Sequence, residues 1–503
     1  MEKRATEGEA KAAAKQRAEG KLTARERIEK LMDPGSFVEE FMLAETQCGD
    51  FGMAEKKQPS DGVVSGYGKI DGRPVYLFAQ DRTVLAGTVG SAHAEKIAYV
   101  IQTARKLGIP LIGLYDSVGA RIQEGLSVTT AIGKIFFENS IASGVIPQIS
   151  AIMGPCIGVA SYSPALTDFI VMVQGSSQMF ITGPPVIKEV LGEEISMEEL
   201  GGAKLHSEVS GVADLITKND EECLSLIRRL FSFLPPNCQS VPPHKESRDD
   251  TERSVEELEK IVPEEMRKAY NVVQVIKALV DDGDFLELKG KFARNLVTGL
   301  GRLNGYPIGF VANQPMFLAG SLDVDASDKG ARFIRFCDAF NIPIITLMDV
   351  PGFFPGKQQE EKGIIRHGAK LLYAYAEATV PKITVVLRKG YGGAKQAMCT
   401  REMGADHLFV WPGVELAVMG GEGAVNVLYR REIEQSEDPE KTRKEKLEEY
   451  TQRFSGPFEA LSKQFAHAVI RPGETRRRLI QSLEILRGKK EERPRKKHGV
   501  MPV

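Results

Sequence analysis

The sequence predicts an α/β protein in which one fold is built twice, and three observations carry that reading. The first is the stretch 381–394, PKITVVLRKGYGGA, a β-branched run bounded by proline and glycine. Such a run is the pattern of a strand covered on both faces. Its closing glycines let backbone approach a ligand and aim N–H groups at one point, where they can hold a developing oxyanion. The second observation is a counterpart at 147–160, PQISAIMGPCIGVA, which aligns without a gap at an offset of 234 residues. The duplication extends upstream. Residues 65–80 lie under 298–313, and Asp116 and Gly119 lie under Asp349 and Gly352, at an offset of 233. Self-similarity at nearly constant spacing is the mark of a repeated unit. The third observation is the alternation of strand and helix patterns in each half, which implies right-handed crossovers.

The elements follow in order. Residues 2–32 read as a helical arm whose segment from Ala24, ARERIEKLMD, is amphipathic and docks on the core. Residues 63–81 give strand, Asp-Gly turn, strand. A helix over 93–107 leads to a buried strand over 109–115 that ends at Asp116. A second helix over 129–143 leads to the strand 148–153 and the first glycine turn. Strand and loop continue through the Pro184–Pro185 pair, and the glycine-rich stretch 200–211 reads as a ligand-lining loop. Four prolines and a charge run over 235–253 mark a domain boundary, giving an N-terminal domain over 1–245 and a C-terminal domain over 246–503. The second copy repeats the plan: a helix near 272–281, a hairpin to Asn313, a helix over 329–340, a strand over 342–348, a helix over 363–375, and the second glycine turn. A strand over 407–410, a charged helix over 443–454 and a basic tail complete the chain. Asp116 and Asp349, at strand ends, read as helix caps, and His367 as a structural hydrogen-bond partner.

Composition excludes several classes. A formal net charge of −2 gives no case for a nucleic-acid or anionic-membrane partner. The six cysteines are scattered without a CxxC pair, so neither a zinc site nor a disulfide framework is expected, and free thiols suit a cytoplasmic location. There is no apolar signal core at the N-terminus and no bilayer-length apolar run. A GxSxG elbow, an HExxH pair and a GxxxxGK[ST] loop are all absent. The chemistry that remains is stabilisation of two oxyanions by two backbone turns, with no nucleophile of the chain's own.

The motifs carry a resemblance. DSVGARIQEG, FFENSIASGVIPQISAIMGPC, YSPALTDF, DVPGFFPG, GIIRHGAKLLYAYAEATVPKITVVLRKGYGGA and WPGVELAVMG resemble the carboxyltransferase (β) subunits of biotin-dependent acyl-CoA carboxylases over essentially the whole chain. The propionyl-CoA carboxylase branch is nearest in character, and the transcarboxylase large subunit and methylmalonyl-CoA decarboxylase α subunit share these motifs. The resemblance implies a duplicated crotonase-like ββα superhelix and a homo-hexamer. In such an assembly the N-half of one subunit, holding acyl-CoA, meets the C-half of its partner, holding carboxybiotin. Gly158 and Val159 would stabilise the thioester enolate, and Gly393 and Ala394 the biotin ureido oxygen. Substrate would be lined by Arg82, Ala86, Gly87, Gly119, Ala120, Arg121, Ile157, Tyr162, Gly352, Phe353, Lys395 and Gln396, with no metal. With no MKM biotinylation motif in the chain, biotin would arrive on a separate carrier or biotin carboxylase subunit.

The sequence departs from the family where the site is expected. GPCIGVA stands where GPCAGGA is usual, so Ile157 and Val159 replace small residues and are expected to narrow or reshape the turn. Arg82 replaces an aromatic residue, Ala86 a glycine, and Lys395 and Gln396 follow GGA. Arg82 and Lys395 together suggest an acyl group with a polar or anionic end. The competing readings are the α subunit of a decarboxylase that needs a membrane partner, an inactive scaffold paralogue, and a free-standing hydratase, whose glutamate pair is missing.

Overall fold

The computed structural model describes residues 9–454 and 456–503. The chain divides into two compact units, Met1–Val241 and Pro242–Val503. Residues 2–8 of the expected helical arm lie outside the described residues. The rest of the arm is two helices, Glu9–Ala18 and Ala24–Leu31. They are separated because Thr23 caps the second, its hydroxyl accepting from the Glu26 N–H while Glu26 reaches back to Thr23.

Unit 1 is a sheet of eight strands: β1 (Val38–Glu40), β2 (Val63–Ile70), β3 (Arg73–Gln80), β4 (Leu111–Ser117), β5 (Gln148–Ile157), β6 (Phe169–Val173), β7 (Gln178–Phe180) and β8 (Leu215–Thr217). The hairpin strands β1 to β3 are antiparallel, and β3, β4, β5, β6 and β8 run parallel. Unit 2 repeats this with β9 (Leu286–Leu288), β10 (Leu296–Leu303), β11 (Tyr306–Asn313), β12 (Ile344–Val350), β13 (Lys382–Tyr391), β14 (His407–Val410), β15 (Glu415–Ala417) and β16 (Ala468–Val469). The core of unit 1 lies between the sheet and the helices Ser91–Leu107 and Leu126–Ala142, around Phe78, Ile101, Tyr115, Ile132 and Ile152.

The two sheets share one irregularity. Between Tyr115 and Ser117 the β4–β5 ladder skips, so that Tyr115 pairs with Ile152 and Ser117 with Cys156. Between Met348 and Val350 the β12–β13 ladder skips in the same way, from Val386 to Gly390. The residues at the two skips are Asp116 and Asp349, both fully buried. Neither is the helix cap the sequence suggests. Each carboxylate fills the space that the bulge opens between its strand and the next. The consequence for topology is direct. Before the skip β5 pairs with β6, and after it with β7. Likewise β13 pairs first with β14 and then with β15.

Each buried carboxylate needs a counter-ion, and the units find it differently. At Asp349 it is Arg388 on the neighbouring strand, with Nε 2.9 Å from Oδ2, joined by the Tyr270 hydroxyl at 3.0 Å. At the position matching Arg388, unit 1 has Gly154, where a Cβ would stand 1.9 Å from Asp116 Oδ1. The guanidinium comes instead from Arg27 on the N-terminal helix. Its Nη1 lies 3.1 Å from Asp116, its Nε 2.8 Å from Asp220, and its Nη2 donates to the Met153 carbonyl. Burial pushes the Asp116 carboxyl above the ordinary range, and Arg27 opposes it.

Sequence expectation and structure differ elsewhere for local reasons. The stretch 200–211 is largely helical, in Met197–Gly201 and Ala203–Glu208, because Ser196 and Glu199 form a capping box that the glycines conceal. The helix expected from Lys329 starts at Val324, capped by Asp323, whose carboxylate accepts from the Ala326 N–H. The helix expected from Thr129 starts at Leu126, and the one near 272–281 ends at Leu279.

Two outcomes follow. Arg27→Met leaves two buried carboxylates unpaired and is expected to lower the stability of unit 1 by about 3–5 kcal/mol in chemical denaturation, with Asp116→Asn recovering part of the loss. His93 supplies the second. Gln80 Oε1 accepts the Asp116 N–H, so its Nε2 donates to His93 Nε2 at 3.2 Å, and His93 Nδ1–H donates to the Asp61 carbonyl. The ring is held neutral, its pKa lowered to about 3 by burial and then by Arg121. The unfolded chain therefore takes up this proton first, and stability falls as pH drops below the ordinary histidine value of ~6.5, by up to about 1.4 kcal/mol per pH unit. Denaturation midpoints between pH 7 and 5 should fall more steeply for the natural protein than for His93→Gln.

Candidate active site

Each bulge delivers a strand end into a tight turn. In unit 1 β5 stops at Ile157, Gly158 takes φ +66°, and a short helical segment, Gly158–Ser161, begins. In unit 2 β13 stops at Tyr391, Gly392 takes φ +58°, and the helix Gly392–Ala397 begins. The first N–H groups of such segments have no partner within them, so each turn presents donors beyond the end of the sheet. The ladder fixes which residues correspond: Gly158 with Gly392, Val159 with Gly393 and Ala160 with Ala394. The pairs expected from sequence, Gly158–Val159 and Gly393–Ala394, are therefore one residue out of step with each other.

Val159 does not reshape its turn. Its side chain packs on the core beside Ile132, Ile135 and Phe136, and Gly158 keeps the same left-handed backbone as Gly392. At Gly393 an added Cβ would meet nothing within 4 Å, so the ground around that residue is open. Cys156 and Cys399 beside the turns are buried, and burial raises both thiols, Cys399 to about 12. They are poor nucleophiles.

A second turn abuts each strand end. Leu85, Ala86 and Gly87 take φ of 49°, 54° and 67° in succession, and Leu318, Ala319 and Gly320 take 47°, 52° and 80°. Three consecutive left-handed residues, two with side chains, are a strained rim. A Cβ at Gly87 would stand 2.4 Å from the Asp116 carbonyl, and one at Gly320 would stand 2.8 Å from that of Asp349. Ala86 and Gly87 are expected site residues; their counterparts Ala319 and Gly320 are not among those expected, although LAG recurs at the offset of 233. The rim is tied to the strand ends by bridges from Val89 to Ala120 and from Leu322 to Phe353. Gly119 lies under Ile157, where a Cβ would stand 2.8 Å from the Ile157 carbonyl. Unit 1 thus brings Ala86, Gly87, Gly119, Ala120, Ile157, Gly158 and Val159 together. Tyr162 follows on the next helix, half-exposed, edge-on to Phe136.

The remaining expected site residues have partners of their own. Arg121 is buried, donating to Asp61, Glu124 and the Thr88 hydroxyl and carbonyl. It fastens the rim with four of its five N–H donors. Arg82 belongs to unit 1 and Lys395 to unit 2, and the Lys395 ammonium sits 4.6 Å over the Phe465 ring. Burial lowers the Lys395 pKa. Gln396 accepts from the Thr400 hydroxyl. Arg82 keeps company with Lys21, whose pKa is lowered by burial, raised by Asp116 and lowered again by Arg82. Phe353 packs its ring against Gly368. His367 Nδ1 is 2.8 Å from Asp328, which also holds Lys370. Among the described residues no cluster of His, Cys, Asp or Glu could hold a metal.

The geometry meets its match in known proteins. Residues 15–501 fit the Carboxyl transferase domain family. The chain is 53% identical over 490 residues, 97% of its length and 95% of the relative's, to the propionyl-CoA carboxylase carboxyltransferase subunit of Haloferax mediterranei. It is 51% identical over 502 residues, covering 97% of that protein, to the methylmalonyl-CoA decarboxylase subunit alpha of Propionigenium modestum. In structure it resembles a subunit of the transcarboxylase 12S hexamer crystallised with methylmalonyl-coenzyme A. The TM-score is 0.96 at 49% identity, over 99% of this chain and 95% of that one. With two matching sheets, two matching glycine turns and this likeness over its whole length, the chain belongs to the carboxyl transferase domain family of acyl-CoA carboxylases and transcarboxylases.

Proposed function

We propose that the chain is a carboxyltransferase subunit that moves a carboxyl group between carboxybiotin, carried on a separate protein, and the α-carbon of an acyl-CoA of propionyl size. The observation that carries this is the pair of equal turns at Gly158 and Gly392, each at the end of a bulged strand. Unit 1 takes the acyl-CoA and unit 2 the biotin, and further copies of the chain complete the assembly as a hexamer. Biotin, when delivered by its carrier, supplies both the carboxyl group and the ring nitrogen that handles the substrate's α-proton.

The chain's own residues then have a limited task. The N–H groups after Gly158 hold the thioester oxygen as negative charge develops on it, and those after Gly392 hold the biotin carbonyl oxygen. The thiols beside the turns are buried and the carboxylates there are paired with guanidinium groups, so among the described residues none of these groups is a free nucleophile, which protects the carboxyl group in transit. The open ground at Gly393 suits a flat ring approaching the turn. Lys395, its ammonium over the Phe465 ring, is the unit 2 member of the cation pair Arg82 and Lys395 that would meet an acyl group with an anionic end. One expectation changes. The scaffold reading loses its basis, because Val159 leaves the first turn in the same conformation as the second.

A second reading shares the half-reaction. As the α subunit of a methylmalonyl-CoA decarboxylase, favoured by the Propionigenium relative, the chain would work in the reverse direction beside a membrane subunit. No helix among the described residues is long and apolar enough to cross a membrane, so that reading requires a separate membrane chain.

The test is decarboxylation of malonyl-, methylmalonyl- and ethylmalonyl-CoA by the pure protein with free biotin. Turnover that depends on biotin and is fastest with methylmalonyl-CoA is expected, and no turnover from a folded protein would overturn the proposal. Gly393→Pro removes one N–H at the second turn and should lower kcat about 10²–10³-fold without weakening acyl-CoA binding measured by calorimetry. Copurification with a biotin carboxylase or with a polytopic membrane subunit separates the two directions.

A further inference from the structure

Each unit buries a lysine at one matching position of the duplicated fold. Lys96, on the helix Ser91–Leu107, and Lys329, on the helix Val324–Ala339, are each 3% exposed and stand 233 residues apart, the offset of the duplication. Among the described residues neither ammonium has a carboxylate at ion-pair distance. Their partners are backbone carbonyls. Lys96 Nζ donates to Ser60 at 3.1 Å and Val63 at 2.5 Å. Lys329 Nζ donates to Lys289 and Phe292 at 2.9 Å and to Ala293 at 3.3 Å. Burial lowers both, Lys96 to about 8 and Lys329 to about 7. An ammonium in such a place costs more than an apolar side chain of equal length, so its use in both units calls for a role.

The role is legible in what the carbonyls belong to. Ser60 and Asp61, at φ 70° and 50°, and Lys289 and Ala293, at 51° and 43°, are left-handed residues in the segment just before each hairpin. Carbonyls turned inward by such backbone need donors; the lysines supply them to Ser60, Lys289 and Ala293, while the Asp61 carbonyl accepts from His93. Each strapped segment then grips the strained rim turn of its own unit. In unit 1 the Gly62 carbonyl accepts from the Asp81 N–H, and Asp61 holds Arg121, which holds Thr88. In unit 2 the Asn295 carbonyl accepts from the Gln314 N–H and its Nδ2 donates to the Ser321 carbonyl, while the Arg294 guanidinium lies 3.8 Å from the centre of the Phe317 ring. The rim turns so held are Leu85–Gly87 and Leu318–Gly320, which rest on the Asp116 and Asp349 backbones.

We propose that Lys96 and Lys329 are a matched pair of positioning residues, each setting the rim of its own half-site through a carbonyl strap, Lys96 for the acyl-CoA and Lys329 for the biotin. The assignment of ligands rests on the function proposed above; the strap does not. Two measurements on the full chain keep them apart. Hydrogen exchange without ligand reads the strap alone. Lys329→Met should speed exchange over 314–321 and leave 81–88 unchanged, and Lys96→Met should do the reverse. Biotin-dependent decarboxylation of methylmalonyl-CoA reads the ligands. Lys329→Met should raise the KM for free biotin by about tenfold or more while the acyl-CoA KM stays within about twofold, and Lys96→Met should raise the acyl-CoA KM instead. Should a methionine variant fail to fold, Arg294→Ala, an exposed change, should raise the biotin KM in the same direction by a smaller factor. Exchange that rises evenly through both units, or KM values that move together, would mark the lysines as merely structural and overturn the proposal. Local exchange changes with no turnover by the natural protein would overturn the ligand assignment and leave the strap.

Discussion

A carboxylate sealed inside a break in a parallel ladder is the constraint on which each half of this protein depends. A regular ladder has no room for Asp116 or Asp349. The skip makes the room, and the skip is also what lets β5 and β13 leave one neighbour and join another. A strand that changes partners must turn, and the turn is where the glycine segment begins. The charge is therefore structural first. Its oxygens meet guanidinium, phenol and backbone groups in unit 2, and in unit 1 its Oδ2 meets Arg27. What reaches the chemistry is geometry: a strand end held in one attitude, with backbone donors aimed beyond it.

Around each carboxylate the same accessory parts recur with different residues. The Asp116 N–H donates to the side-chain oxygen of Gln80 and the Asp349 N–H to that of Asn313. The rim turns repeat residue for residue as Leu-Ala-Gly. The strap lysines repeat as well, though their carbonyl partners differ in number. Backbone roles are copied and side-chain identities drift, as expected where function is carried by N–H and C=O groups that any residue provides.

Much of this was legible in the sequence. The duplication, the paired glycine turns, the hairpins and the buried strands follow from periodicity and self-comparison, because each is a local pattern or a repeat of one. The rim at Leu318–Gly320 is also visible in the sequence as a repeated tripeptide. The role of Asp116 was not. A carboxylate after a strand reads as a cap because the bulge that receives it is formed with residues some forty positions on, and its counter-ion comes from 89 residues upstream. Arg121 misled for the same reason. An arginine beside glycines looks like an anion ligand until Asp61, 60 residues away, takes up its charge. The contact of Lys395 with the Phe465 ring has no local signal either, because Phe465 lies much later in the chain.

The different origins of the two guanidinium groups bear on how independent each half can be. Unit 2 carries Arg388 within its own sheet, on the strand next to the aspartate it neutralises, so that sheet closes its electrical account as it assembles. Unit 1 borrows Arg27 from a helix outside its sheet, and the same guanidinium also binds Asp220 near the far end of that unit. The N-terminal helix is thus a clasp joining the first and last portions of unit 1. It makes that half a closed loop in its contacts, one whose ends cannot be moved to new positions in the chain without carrying the clasp along.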